Sequence, residues 1–85
     1  MILGVPKQFN GTVGTTAVRV NFGGPSIHVS VKNTSTNVLY ASFDEGVTFL
    51  SIVGKENSYY DEMCVPGVWL KGSGAGTTYE VLATI

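Results

Sequence analysis

Apolar and polar residues alternate along most of this chain, and the alternating segments are bounded by glycine, proline and asparagine. Residues 18–22 read V-R-V-N-F, and residues 27–31 read I-H-V-S-V. A period of two is typical of β-strands that bury one face, because successive side chains point to opposite sides of a sheet. Helical periodicity is missing from every window of helix length. The alternation therefore predicts an all-β domain.

Turn signals divide the chain into seven or eight short strands. Gly23-Gly24-Pro25 separates the first two alternating segments, which we expect to pair as a hairpin. Asp44-Glu45-Gly46 predicts another hairpin turn, which Asp44 caps with its side chain. Short strands at this spacing predict a small antiparallel β-sandwich or barrel. The predicted strands cover residues 7–14, 18–22, 27–32, 38–43, 47–53, 59–65, 68–71 and 77–84.

A chain of 85 residues predicts one domain, residues 1–85, with a thin hydrophobic core. Residues 1–8 precede the regular pattern and could form an extended N-terminal arm. Cys64 is the sole cysteine, so it forms no internal disulfide, and its apolar neighbours predict a buried, inert thiol. Small domains without disulfides or a metal usually rely on neighbouring subunits. We therefore expect a homo-oligomer or a multi-copy assembly.

The charge balance argues against a nucleic-acid partner. Five Lys and Arg residues oppose six Asp and Glu residues, and they are scattered without the basic stripe that phosphate binding requires. Charged residues make up only 13% of the chain, about half the usual share. Ser, Thr, Asn and Gly must therefore form much of the solvent-exposed surface, or a partner must cover part of it. We expect neither a signal peptide nor a membrane partner, and synthesis in the host cytoplasm.

The candidate catalytic residues are few and dispersed. His28 lies on the polar face of its predicted strand, which favours an ordinary surface histidine over a general base. Asp44 and Glu45 belong to a turn, and Asp61 and Glu62 should point to opposite faces of a strand. We therefore predict a non-enzymatic protein with no catalytic residues, no cofactor and no metal.

The glycine-rich segment 71–78 has the composition of a phosphate-binding loop without its order. A P-loop needs its lysine after the glycines and a helix behind it. Here Lys71 precedes Gly72, Gly74 and Gly76, and an alternating strand follows. The segment therefore predicts a hairpin loop.

Three aromatic residues are candidates for an interface. Trp69 lies between Val68 and Leu70, so it occupies the opposite face, where it could pack against a second sheet or contact a partner. Tyr59 and Tyr60 are adjacent, so one of them should point outward. Exposed Trp and Tyr serve as protein-contact anchors and as sugar-stacking platforms, and we favour protein contacts.

Three segments of the second half form a recognisable pattern. They are L-Y-A-S-F-D-E-G at residues 39–46 with Phe49 after the turn, V-W-L-K at 68–71, and G-S-G-A-G-T-T-Y-E-V-L-A at 72–83. This pattern resembles a group of short phage-encoded virion proteins, and the first third of the chain does not share it. The resemblance implies a small β-sandwich present in many copies on the phage particle, as a capsid decoration or an accessory tail component.

Together these observations favour a non-enzymatic virion structural protein of a bacteriophage. We expect a capsid decoration or cement protein that binds neighbouring virion subunits, such as major capsid or tail proteins. The alternative is a carbohydrate-binding or host-attachment module of a tail fibre, which would use Trp69 or the two tyrosines as a flat sugar platform.

Overall fold

The computed structural model describes residues 4–61 and 64–85, and the side chains of 59–61 are outside its description. These residues form eight antiparallel strands in two sheets, which confirms the predicted all-β class. Sheet A has the strand order β1-β8-β3-β6, and sheet B has the order β2-β7-β4-β5. The strands are β1 (Pro6–Val13), β2 (Val18–Asn21), β3 (His28–Asn33), β4 (Leu39–Ser42), β5 (Leu50–Ile52), β6 (Asn57–Asp61), β7 (Gly67–Gly72) and β8 (Thr77–Thr84).

The chain moves between the two sheets at almost every connection. Only β4 and β5 are consecutive strands that pair with each other. This interleaving of two four-stranded sheets is the jelly-roll arrangement. The hairpin predicted across Gly23-Gly24-Pro25 is therefore wrong, since β2 belongs to sheet B and β3 to sheet A. The hairpin loop predicted after Lys71 is wrong for the same reason, because β7 and β8 also lie in different sheets.

The core lies between the two sheets and follows the alternation seen in the sequence. In β3, Val29 and Val31 are buried, whereas His28 and Lys32 are exposed. The rings of Phe9 and Phe22 lie 5.8 Å apart between the sheets. The fully buried apolar residues of the centre come from both sheets: Val29, Val31, Val81 and Ala83 from sheet A, and Leu39, Ala41, Val68 and Leu70 from sheet B.

The β4–β5 connection contains a turn that is stabilised by hydrogen bonds. The strand predicted at 47–53 is therefore shorter in the structure, Leu50–Ile52. The Asp44 carboxylate accepts hydrogen bonds from Ser42 Oγ at 2.7 Å and from the Thr48 backbone N–H at 2.8 Å. Glu45 and Gly46 have φ angles of 61° and 84°, as the two central residues of a type I′ turn require. The predicted turn and its Asp44 cap are thus present.

Two further segments differ from the sequence prediction. Residues 4–8 belong to the segment 1–8 that could form an arm, and they pair within the fold: Val5 and Ile85 exchange backbone hydrogen bonds, and β1 begins at Pro6. The predicted strand 59–65 is placed earlier, at Asn57–Asp61, and residues 62–63 lie outside the described part. Cys64 follows this strand and is exposed, so the prediction of a buried thiol is wrong.

Candidate functional site

Of the residues considered for catalysis, the register of sheet A brings two together: His28 on β3 lies opposite Asp61 on β6. His28 is exposed, as predicted, and its Cα partner on the other side, on β8, is Thr84. Among the side chains that the structure describes, those of residues 4–58 and 64–85, no three His, Cys, Asp or Glu come together as a metal site would need. The Asp61 side chain and Glu62 are outside the description. The expectation of no metal and no cofactor stays a prediction.

The pKa of Asp44 is lowered, and the surroundings of its carboxylate explain the shift. The hydrogen bonds from Ser42 Oγ and from the Thr48 backbone N–H stabilise the ionised carboxylate and lower the Asp44 pKa to about 2. The Gly46 N–H donates in turn to Ser42 Oγ at 2.9 Å. This network closes the turn, so the Asp44 carboxylate has a structural role.

Trp69 lies on the outer face of sheet B. Its neighbours Val68 and Leu70 are fully buried between the sheets, so the alternation of β7 turns the half-buried indole away from the core. Arg19 and Ser42 are its partners on the flanking strands. Packing against the second sheet, one of the two interpretations left open by the sequence, is thereby excluded for Trp69.

The candidate tyrosines fall partly outside the described structure. Tyr59 and Tyr60 belong to β6, where their Cα partners on β3 are Ser30 and Val29. Their side chains are outside the description, so their role at an interface stays a prediction.

Next to Trp69, three further residues form a cation–aromatic cluster. Lys71 and Tyr40 are directly opposite each other on β7 and β4. The Lys71 Nζ lies 4.1 Å from the centroid of the Phe49 ring and 5.9 Å from that of Tyr40, within the range of cation–π attraction. We call Tyr40, Phe49, Trp69 and Lys71 the aromatic face. Each of these side chains is half-buried and so remains partly accessible to a partner.

Exposed apolar residues also concentrate on sheet B. Six large hydrophobic side chains are exposed in the described part of the chain, and four belong to sheet B or to the turns that bound β5. Val47 is the most exposed, at 82%. Apolar surface of this kind typically marks a contact region. The four are Val18, Val47, Leu50 and Val53.

On the opposite side of the molecule, the outer face of sheet A forms a shallow polar groove of about 510 Å³. Glu80 and Lys32 are directly opposite on β8 and β3, yet they form no ion pair in the described structure. The groove is lined by Gln8, Phe9, Asn10, Ser30, Lys32, Asn57, Glu80, Val81 and Leu82.

Strand β1 forms an open edge of sheet A. It pairs with β8 on one side and with no described strand on the other. In an antiparallel pair, every second residue of a strand forms backbone hydrogen bonds with its partner strand. Val5 and Ile85 exchange such bonds, so residues 7, 9, 11 and 13 also bond to β8. Gln8, Asn10 and Thr12 consequently direct their backbone N–H and C=O groups outward.

Sequence reasoning identified Trp69 but missed Tyr40, Phe49, Lys71 and the β1 edge. The apolar–polar alternation shows which side of a strand faces out, but it does not show which strands are neighbours. The register of β4 against β7 brings Tyr40 to Lys71, and no local pattern in the sequence carries that register.

Comparison with solved structures found proteins of similar fold. A Bacillus endospore appendage protein, from a novel family of disulfide-linked pili, matches with a TM-score of 0.54 and 16% identity, over 98% of this chain and 89% of that one. A cupin domain from Bordetella pertussis Tohama I matches with a TM-score of 0.48 and 18% identity, over 98% and 94% of the two chains. At 16% identity, the likeness to the appendage protein shows a shared small β fold.

No family model and no curated protein matches this chain. The resemblance of its second half to phage virion proteins therefore stays a prediction. Within the described residues, no helix is long and apolar enough to cross a membrane.

Proposed function

We propose that this protein is a non-enzymatic structural subunit that docks on neighbouring subunits of a multi-copy particle. The supporting observation is the aromatic face of sheet B, where Trp69 lies outward beside Tyr40, Phe49 and Lys71. Tryptophan and tyrosine dominate the binding energy of protein interfaces, because large rigid rings bury much area at a low entropic cost.

Docking through sheet B would also cover apolar surface that is otherwise in contact with water. Val47 and Val53 flank β5 and are 82% and 47% exposed. Burying such side chains against a neighbouring subunit releases ordered water and stabilises the contact. Phe49 lies between them in the sequence, so one partner could cover the aromatic face and the β5 turns together.

The particle we propose is a bacteriophage virion, with this chain as a capsid decoration or cement protein. This finer assignment is supported by the resemblance of residues 39–46, 68–71 and 72–83 to phage virion proteins. The likeness of the fold to an appendage subunit agrees with a protein that functions in many copies. The protein would be made in the host cytoplasm and carried on the virion.

A binding assay on intact particles tests this function. Phage particles from the source culture would first be stripped of this chain. They would then be mixed with the purified wild-type protein and sedimented. We expect wild-type protein in the particle fraction and a loss of at least about tenfold in affinity for Trp69→Ala. Leu82→Ala is the matched control, because Leu82 is also apolar and exposed, at 39%, but lies on sheet A. Equal binding by Trp69→Ala, or no binding by wild type, would overturn the proposal.

A second candidate function is carbohydrate binding, which the groove of sheet A favours. The side chains of Gln8, Asn10, Asn57 and Glu80 line it and form no hydrogen bond within the described structure. Amide and carboxylate groups of this kind pair well with sugar hydroxyls. Trp69 is a separate stacking platform on sheet B.

A glycan array separates these possibilities. Binding that is lost in Glu80→Ala assigns a sugar site to the groove, and binding that is lost in Trp69→Ala assigns it to the aromatic face. If wild-type protein binds no glycan on the array, the carbohydrate hypothesis is rejected.

A further inference from the structure

The free side of β1 is a short strip of hydrogen-bonding groups that is symmetric about one residue. Gln8, Asn10 and Thr12 each direct a backbone N–H and a C=O away from β8. Pro6 ends the strip on one side, because it has no N–H to offer. Gly14 ends it on the other, because its carbonyl already accepts a hydrogen bond from the Gly72 N–H at 2.7 Å.

We propose that two copies of this chain associate by pairing β1 with β1 in antiparallel orientation, around a two-fold axis at Asn10. In this register Asn10 lies opposite Asn10 of the second copy, and Gln8 lies opposite Thr12. The three facing pairs can form six backbone hydrogen bonds, which satisfy all the outward groups of residues 8, 10 and 12.

Other registers satisfy fewer of these groups. A slip of two residues in one direction places Pro6 opposite Thr12, so the Thr12 carbonyl finds no donor. A slip in the other direction places Gly14, whose carbonyl is already bonded, opposite Gln8. A slip of one residue places the outward backbone N–H and C=O groups of one copy opposite residues of the second copy whose backbone groups bond to β8. It also turns every side chain to the wrong face of the sheet. The strip therefore specifies one register.

The side chains on both faces of β1 are compatible with this register. Phe9, whose ring packs on Phe22, would face Gly11 of the second copy, which presents no side chain. Residues 8–12 contain no charge, and Lys7 would lie opposite Val13. Edge strands that stay single are usually protected by a central lysine, a proline or a bulge. None of these interrupts β1 between residues 8 and 12.

The proposed pairing joins the two A sheets into one continuous sheet of eight strands. It leaves the aromatic face of sheet B uncovered on both copies. The inference thus goes beyond docking through sheet B, and it does not depend on that docking or on the identity of the particle.

Opposite charges at the axis test the pairing directly. Asn10→Asp and Asn10→Lys each place like charges opposite each other, so each variant alone should dimerise at least about tenfold more weakly than wild type. An equimolar mixture should recover the dimer as a heterodimer, measured by sedimentation and native mass spectrometry. Asn57→Asp and Asn57→Lys are the matched controls, because Asn57 is exposed in the same row across sheet A but lies on β6. These controls should dimerise like wild type.

Proline and alanine at the same position isolate the backbone contribution. Asn10→Pro removes the outward N–H and should weaken the dimer at least about tenfold, whereas Asn10→Ala keeps the N–H and should dimerise like wild type. Hydrogen exchange gives a second readout without substitution. The amides of Gln8, Asn10 and Thr12 should become protected only as the protein concentration rises, while those of Phe9 and Gly11 are protected throughout.

Three results would overturn the inference. Wild-type protein could remain monomeric at millimolar concentration, the Asn10→Asp and Asn10→Lys mixture could fail to form the heterodimer, or the Asn57 variants could disrupt the dimer instead. A circular dichroism spectrum of each variant verifies that a lost dimer does not reflect a lost fold. Loss of the dimer in the Asn10 variants with normal particle binding would separate this inference from the proposed function.

Discussion

The side-chain amide of Asn33, on β3, donates a 2.8 Å hydrogen bond to the backbone carbonyl of Ile52, on β5. The bond joins sheet A to sheet B through groups that are shielded from water. The same amide donates to the Asn37 carbonyl at 2.6 Å, and its oxygen accepts from both the N–H and the hydroxyl of Ser35. One buried side chain thus holds the β3–β4 connection and the two sheets together.

Replacing Asn33 should be costly, because its partners would stay buried without their hydrogen bonds. We expect Asn33→Ala to lower the free energy of unfolding by about 3 kcal/mol. Asn57→Ala removes an exposed asparagine and should change it by less than about 0.5 kcal/mol. Urea denaturation measures both. Similar small effects for the two variants would show that the Asn33 network contributes little.

Two glycines at the same end of the fold should respond oppositely to alanine. A Cβ at Gly72 would overlap the buried Thr77 side chain, whereas a Cβ at Gly14 meets nothing within 4 Å. Gly72→Ala should therefore destabilise the protein by about 2 kcal/mol. Gly14→Ala should be neutral or stabilising by up to about 1 kcal/mol, since it reduces the entropy of the unfolded chain. Thermal unfolding of both variants tests this contrast, and equal melting temperatures would contradict it.

The β4–β5 turn contains a correctable strain. Glu45 is exposed and has a φ of 61°, a region that glycine and asparagine adopt more easily. Glu45→Asn should stabilise the protein by about 0.5 kcal/mol. Glu56→Asn is the control, since Glu56 is exposed without a positive φ. A gain in the control and none at Glu45 would refute the backbone explanation.

The low pKa of Asp44 predicts a loss of stability in acid. Its folded-state pKa of about 2 is below the ordinary value of 3.8. The carboxylate therefore contributes its full stabilisation above pH 4, and the contribution is lost as the pH falls toward 2. Asn can still accept from Ser42 and Thr48 but does not titrate, so Asp44→Asn should lose less stability between pH 4 and pH 2. Urea titrations across this range would contradict the account if the two proteins declined in parallel.

The strands and their faces could be predicted from the sequence, because both are local properties. Alternation placed Val29 and Val31 in the core and His28 at the surface, as the structure has them. The partner of each strand could not be predicted this way. Gly23-Gly24-Pro25 permits a reversal of direction, but the same residues also permit a crossing to the other sheet, which is what the chain makes.

Residues of the candidate surfaces could be predicted only where their position follows from the pattern of their own strand. The outward position of Trp69 follows from its buried neighbours in the strand. The Lys71–Phe49 contact depends on the fold of the β4–β5 turn, and the open edge of β1 depends on the order of strands in sheet A. Cys64 was misplaced because β6 ends at Asp61 and Cys64 itself lies outside a strand, where it is exposed.

The central claim is that this chain is a subunit of a multi-copy particle. Measuring how many copies of the chain each particle carries tests this claim most directly. Phage particles purified from the source culture on a density gradient would be analysed by quantitative mass spectrometry with an isotope-labelled standard of this chain. The account predicts that the chain comigrates with the major capsid protein at tens of copies or more per particle. Its absence from the particle peak, with all of the protein at the top of the gradient, would contradict the account.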